Sequence, residues 1–318
     1  MSYNKCIVAF GEYLWDCHKD YRVPGGAPAN ALFHASQFGY DGVLITALGQ
    51  DADGDGLFNE IEGKGLDLTK VQRIPELPTG TVDIDERDLS DPKYDIKTEV
   101  AWSAIRDFDG MEELAARCDA VLYGSLSQVG EVSRKTLYRF LSLVPQACKK
   151  VCDINLRYKY GGDELICSDD ILLSCIEKCN ILKVNAGELE LLSGKFGCDF
   201  LKDDIRESAR KFLARFPNVE TLIVTLGTDG SWIISRNLEE TFCGVPKIKF
   251  NNAVGAGDAF TGAYIGCLLD GKPQSIAHKI AVNVSAYVCT QEGAMPVVPG
   301  WVKLLPMAPE REEYLKKE

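Results

Sequence analysis

Between Asn252 and Phe260 the chain reads Asn-Ala-Val-Gly-Ala-Gly-Asp-Ala-Phe. Gly255 and Gly257 let a backbone turn tightly and approach an anion. The apolar run 259–269 that follows predicts a helix, and a strand is expected before it over 245–250. The unpaired N–H groups of the helix's first turn would then point at phosphate oxygens. Asp258 falls in that first turn. A carboxylate there has two uses: it caps the helix, or, beside a transferring phosphoryl group, it accepts the proton of an attacking hydroxyl. The segment alone does not choose between them.

Other nucleotide devices are excluded by spacing. A dinucleotide fingerprint needs a third glycine where Phe260 stands. A Walker loop needs Gly-Lys followed by Ser or Thr, whereas Gly63-Lys64, Gly194-Lys195 and Gly271-Lys272 are followed by Gly, Phe and Pro. The net charge of −12 argues against nucleic acid as a partner, because that binding needs Lys and Arg against phosphates. It leaves room for one nucleotide held by backbone N–H groups.

Twelve cysteines raise the question of metal or disulfides, but no C-x-x-C pair occurs, and His18, His34 and His278 form no ligand cluster with them. The four-residue pairs Cys148/Cys152 and Cys175/Cys179 are expected as core thiols. Unpaired thiols suit a reducing, cytoplasmic setting. The apolar run 6–10 is too short for a signal core, and no stretch approaches the roughly 20 residues of a membrane span.

The elements that must position such a site follow from hydrophobic patterning. Continuous apolar runs at 7–10, 43–47, 120–123, 150–154, 181–184 and 222–225 predict buried parallel strands. Amphipathic stretches at 30–38, 54–64, 133–143 and 204–216, with the apolar run 259–269, predict helices. Their alternation predicts one α/β domain over 1–318, a doubly wound, mainly parallel sheet with helices on both faces. Residues 79–105 break the rhythm: two alternating segments around Leu89-Ser90-Asp91-Pro92 predict a hairpin. With a further strand from about 13–23, it would form a small β lid over the ligand-binding edge of the sheet, or a plain surface hairpin. The charged tail 309–318 is expected as a fraying helix.

Taken together, the motifs resemble the ribokinase family of carbohydrate kinases. Gly25-Gly26-Ala27-Pro28-Ala29-Asn30 and Gly255-Ala256-Gly257-Asp258-Ala259-Phe260 are similar to its two signatures. Gly11-Glu12 with Asp16, Gly49-Gln50-Asp51-Ala52-Asp53-Gly54, Asp153-Ile154-Asn155-Leu156-Arg157, Asn185-Ala186-Gly187-Glu188 and Thr225-Leu226-Gly227-Thr228-Asp229-Gly230 follow in the family's order. Any one is weak; their order across nearly the whole chain is specific.

The resemblance implies an ATP-dependent sugar kinase. It implies Asp258 as general base and Gly255, Ala256 and Gly257 as anion hole. Asp16, Gly25, Gly26, Asn30 and Arg157 would bind the sugar; a surface ion pair is the other reading of Arg157. Asn185, Thr225, Gly227, Gly230 and Asn283 would serve the nucleotide. Glu188 would hold hydrated Mg²⁺, partly through water; without the family it reads as a solvated helix-face glutamate. Where relatives carry Asp-Thr beside a monovalent cation, commonly K⁺, this chain has Asn252-Ala253, which keeps a carbonyl ligand and lacks the charge. Gly-Gly-Ala-Pro-Ala-Asn and the run 94–105 resemble fructokinases, so fructose is the expected acceptor. A non-catalytic sugar-binding relative and a kinase for another sugar, sugar acid or nucleoside are the alternatives. A homodimer through the lid is expected from the resemblance alone.

Overall fold

A computed structural model describes residues 5–85, 93–237 and 239–304. The first half runs β1 (Cys6–Phe10), β2 (Leu14–Cys17), β3 (Arg22–Gly25), α1 (Ala27–Ser36), β4 (Asp41–Gly49), α2 (Ala52–Ile61), β5 (Val71–Ile74), β6 (Thr81–Asp85) and β7 (Lys93–Ile96). It continues with α3 (Met111–Ala116), β8 (Cys118–Gly124), α4 (Glu131–Leu143), β9 (Lys149–Asp153), α5 (Asp169–Lys178), β10 (Ile181–Asn185), α6 (Ala186–Phe196) and α7 (Ile205–Arg215). The last elements are β11 (Thr221–Thr225), β12 (Ser231–Ser235), β13 (Glu240–Cys243), α8 (Ala256–Leu269) and α9 (Gln274–Val288).

Among the described residues the main sheet has the order β13-β12-β11-β10-β9-β8-β1-β4-β5. It is parallel from β11 to β5, and β12 and β13 add an antiparallel edge. Strand order reverses direction between β8 and β1, the place where open α/β sheets open a crevice beyond their carboxyl ends. Two cores flank the sheet, since a strand buried on both faces sends alternate residues to each. Leu182 and Val184 of β10 enter the core that also holds Leu172 and Phe212. Ile181 enters the one shared with α1, α8 and α9. Cys148, Cys152, Cys175 and Cys179 are buried as core thiols.

The small sheet has the order β3-β2-β6-β7, with β2 and β6 parallel and both outer pairs antiparallel. Its own core explains why it is no loose surface hairpin. Leu14 and Val82 pack with Val100, Leu126 and the fully buried Trp102, anchoring the sheet to the body. Two strands, not one, come from the 13–23 region, while the 101–104 portion of the expected lid is a buried 3-10 turn. The expected hairpin turn at 89–92 and the helix at 309–318 lie outside the described residues.

One expected strand is absent. Residues 245–250 form no strand, and Val245 and Phe250 are exposed. Pro246 has no N–H to donate and two lysines interrupt the run, so this stretch passes β13 without extending the sheet. No described helix is long and apolar enough to cross a membrane.

Candidate active site

The site grows from the carboxyl ends of β1, β9, β10 and β11 and from the first turn of α8. In β9 and β10 the residues Asp153 and Lys183 are register partners. Alternation puts both on the face of Val151 and Ile181, beneath α8. Their side chains are 14% and 9% exposed and pair at 2.6 Å. Burial lowers the Lys183 pKa, but Asp153, Asp258 and Glu188 together outweigh it and the net shift is upward, so Lys183 stays charged. Thr261 of α8 donates to the Gly257 carbonyl at 3.0 Å and reaches toward Asp153.

α8 begins at Gly255, which caps it in the left-handed conformation at φ 74°. A Cβ there would stand 2.6 Å from the Ala294 Cβ, so both conformation and space require glycine. A Cβ at Gly257 would stand 3.1 Å from Lys183 Nζ. The ammonium thus lies directly against the turn formed by Gly255, Ala256 and Gly257. One residue on, Asp258 is half-buried and accepts a 2.8 Å hydrogen bond from Asn30 Nδ2. Burial and the Asp153 carboxylate raise Asp258 to about 6, while Asn30, Lys183 and Arg157 work to keep it charged. Asn30 Oδ1 is buried without a partner among the described residues, an open acceptor beside Asp258.

The lid side converges on the same point. Gly26, at φ 125°, starts α1 where any Cβ would overlap the Glu12 carbonyl oxygen. Gly25, opposite Leu14 across β2 and β3, leaves room for the Asp16 carboxylate, which a Cβ there would overlap. Asp16 is raised to about 6 by burial, against the pull of Arg157. Arg157 lies with its guanidinium 5.8 Å from the Tyr94 ring centroid, bridging the body to lid strand β7. It borders a cavity of about 470 Å³ with Lys93, Tyr94, Tyr158 and Tyr160.

Glu188 is not the solvated helix-face residue that its sequence context suggests. It is 8% exposed, and its Oε2 accepts from Asn185 N–H at 2.7 Å while Asn185 Oδ1 accepts from Glu188 N–H at 2.9 Å. This is a capping box at the start of α6. Oε1 accepts from Leu156 N–H at 2.7 Å, tying the helix to the loop that carries Arg157. Burial and Asp153 raise the Glu188 pKa.

Thr225 ends β11 in register with Asn185, and its hydroxyl lies 3.5 Å from the Val184 carbonyl. Gly227 and Gly230 form the turn into β12, and a Cβ on Gly230 would overlap the Cys243 carbonyl. Asn283 is different. It is buried within α9, and no hydrogen bond among the described residues joins it to this group. Asn252 is bound within its own loop: Oδ1 accepts from Val254 N–H at 3.0 Å and Nδ2 donates to the Gln291 carbonyl at 2.9 Å. Oδ1 keeps one further acceptor position, and residues 250–257 include no carboxylate, so a cation here would meet carbonyl oxygens without a charged ligand from this loop.

Three residues of the cluster receive no role from the sequence: Asp153, Lys183 and Glu12. Glu12, 4% exposed just beyond β1, has a buried Oε2 without a partner among the described residues. Burial raises it to about 7, with Arg157 opposing and Asp258 and Asp153 adding to the rise. Glu12 and Asp153 stand in motifs of the resemblance, and Lys183 shows as a charge inside an apolar strand run. The arrangement can do one thing chemically. It holds a proton-accepting carboxylate beside open hydrogen-bonding groups, next to a helix N-terminus and an ammonium able to receive an anion.

Comparison with known proteins bears on the same residues. Residues 4–300 match the model of the pfkB family carbohydrate kinases. Fructokinase-1 of Oryza sativa subsp. japonica is 27% identical over 325 aligned residues, spanning 95% of this chain and 97% of the relative. A structure of fructokinase with bound ATP from Xylella fastidiosa is similar with a TM-score of 0.79 at 19% identity, covering 93% of this chain and 96% of that one. A protein from E. coli assigned as ribokinase II, in complex with ATP and Mg²⁺, gives 0.74 at 19% identity, covering 92% and 95%. At these identities the structural likeness speaks for the fold.

Proposed function

The chain belongs to the pfkB family of carbohydrate kinases, and on that premise we propose that it transfers the γ-phosphoryl group of ATP to a hydroxymethyl group of a sugar, with fructose as the first acceptor to test. One observation carries this reading. Asp258, half-buried in the first turn of α8 directly after Gly255-Ala256-Gly257, is hydrogen-bonded to Asn30 of the sugar motif. That single contact joins a phosphate-receiving turn to a hydroxyl-recognising one.

In this reading the sugar hydroxymethyl sits against Asp258, which takes its proton as the oxygen attacks phosphorus. Asn30 Oδ1, Asp16 and Arg157 orient the remaining hydroxyls. Buried polar groups left unpaired by a wrong sugar would penalise it. The N–H groups of residues 255–258 and the Lys183 ammonium receive the γ-phosphate. Thr225, Gly227 and Gly230 shape the nucleotide side.

The donor set fits hydrated Mg²⁺. Each Glu188 oxygen accepts one backbone N–H, and a carboxylate has about four acceptor sites, so both oxygens retain capacity for the ion's water shell. When bound, Mg²⁺ supplies charge neutralisation for the phosphates. Adenine contacts through Asn283 are part of the proposal and rest on the resemblance alone.

Fructose is favoured by the Gly25–Asn30 motif and by the rice fructokinase. A coupled ADP-release assay across fructose, ribose, deoxyribose, a sugar acid and a nucleoside tests it. Turnover with fructose at the highest kcat/KM is expected; turnover with ribose or a nucleoside and none with fructose would reject that acceptor. The catalytic reading is tested by Asp258→Asn, expected to lower kcat about a thousandfold or more while ATP binding stays within about threefold. Sugar binding by wild type with no ADP release from any acceptor would instead support a sensor.

A further inference from the structure

α1 carries a second set of contacts that the reaction scheme leaves unused. Asn30, His34 and Gln37 are spaced i, i+4 and i+7, on one face of the helix. Asn30 holds Asp258. His34 is 1% exposed, with Nε2 2.9 Å from the Ala294 carbonyl and Nδ1 3.3 Å from Gln37 Nε2. A carbonyl only accepts, so Nε2 carries the proton and Nδ1 accepts from the Gln37 amide. Gln37 is also engaged at its other contacts: Nε2 reaches the Pro296 carbonyl at 3.4 Å and Oε1 accepts from Val298 N–H at 2.7 Å.

These bonds fix the segment 294–298, and that segment is the wall against which α8 starts. A Cβ on Gly255 would stand 2.6 Å from the Ala294 Cβ and 3.0 Å from the oxygen that His34 binds. On its other flank the loop before Gly255 is tied to the same stretch of chain. Asn251 N–H donates to the Cys289 carbonyl at 2.9 Å, and the Asn251 and Asn252 amides donate to the Gln291 carbonyl at 3.0 and 2.9 Å.

We propose that His34, backed by Gln37, is a positioning residue for phosphoryl transfer: by fixing Ala294 it fixes where Gly255 opens α8 and where the first-turn N–H groups point. Asn30, one turn earlier on α1, holds Asp258 in the same frame. The proposal rests on reading the first turn of α8 as the phosphate-receiving turn. Burial lowers the His34 pKa to about 4, with Lys303 adding to the effect, so the ring stays neutral and keeps this tautomer at working pH.

The test compares His34→Leu with His34→Gln, whose amide can restore a donor near the Nε2 position. His34→Leu is expected to lower kcat/KM for ATP about tenfold to a hundredfold, as small misplacements of a reacting group do. The KM for the sugar should stay within about threefold, since Asn30 remains, and His34→Gln should recover most of the loss. A His34→Leu enzyme that melts earlier yet keeps wild-type kcat and ATP KM overturns the proposal, and so does a KM for the sugar that rises as much as the KM for ATP. If His34→Leu does not fold, Gln37→Leu is judged by the same criteria. If wild type turns over no sugar, the proposed reaction fails, and equilibrium binding of a non-hydrolysable ATP analogue with Mg²⁺ decides instead. Weakening of about tenfold in His34→Leu, recovered in His34→Gln, supports positioning; equal binding, or none by wild type, overturns it. Ring ¹⁵N shifts must show the Nε2–H tautomer, and the other tautomer would contradict the network.

Discussion

Asp258 holds its charge against two opponents, burial and the Asp153 carboxylate, with Asn30, Lys183 and Arg157 on its side. A base must be unprotonated to act, so a carboxyl raised to about 6 loses its function as pH falls through that value. The acid limb of kcat/KM is therefore expected near pH 6 with unit slope. Lys183→Met removes the ammonium that offsets Asp153, leaving a buried carboxylate unpaired beside the base. The limb should then move upward by about one pH unit or more, alongside a loss of turnover. A limb that stays in place in Lys183→Met assigns it to another group. The same scale decides the monovalent cation. Asn252 brings no charge and its amide already holds Val254 and Gln291, so replacing K⁺ with Na⁺ or choline at constant ionic strength should leave kcat within about twofold, in contrast to a site whose ligands depend on the ion. Activation of tenfold by K⁺ would show that backbone carbonyls alone suffice.

At the scale of elements, the meeting of Asn30 and Asp258 depends on how closely α1 and α8 approach. Gly262 and Gly266 make that approach possible: a Cβ on Gly262 would overlap the Ala31 carbonyl oxygen, and one on Gly266 would stand 2.8 Å from the Phe38 ring. Backbone cannot yield as a side-chain tip can. Gly262→Ala is therefore expected to destabilise by about 1–3 kcal/mol, to lower Tm by several degrees in a melting experiment, and to reduce kcat by loosening the Asn30–Asp258 bond. Gly266→Ala meets a ring that can shift and should cost less. Equal Tm values for both variants and wild type would refute this account of the contact. α8 itself is legible as an apolar run, and so are the parallel strands, because a strand buried on both faces leaves a continuous apolar trace. The 245–250 stretch misleads for the complementary reason. Its Val, Ile and Phe imitate such a trace, while Pro246 and two lysines leave it without a ladder to join.

Across the whole molecule, the six central parallel strands, five of the helices and the small second sheet can be read from patterning. The edge strands β5, β12 and β13 cannot, and the motif residues come from their resemblance. What cannot be read is which charges share a site. Asp153 and Lys183 are thirty residues apart and meet only through the register of β9 and β10; Glu12 sits in Gly-Glu-Tyr with no periodic signature. Their gathering has a consequence for stability. Glu12 is raised from 4.5 to about 7, and Asp16 and Asp258 from 3.8 to about 6, each chiefly by burial. A carboxyl whose folded pKa exceeds its unfolded one binds more protons in the native state, so stability falls as pH rises through the interval between the two values. The lowered carboxyls, Asp51, Glu131, Glu240 and Asp270, act in the other direction, but their contribution disappears only below their unfolded values near 4. His34 and His278, lowered by burial from 6.5 to about 4, oppose that fall below pH 6.5. The ligand-free protein is thus expected to lose stability with rising pH mainly between about pH 6.5 and 7.5, where Glu12 still titrates. Glu12→Gln abolishes the largest of these proton-binding steps. It should change Tm little at pH 5, where Glu12 is already neutral. At pH 8 it should raise stability by up to about 3 kcal/mol, since a tenfold difference in proton affinity between the folded and unfolded chain corresponds to about 1.4 kcal/mol. Calorimetric melts of wild type and Glu12→Gln from pH 5 to 8 check both parts, and a wild-type Tm that climbs steadily to pH 8 would show that the buried carboxyls do not govern the balance.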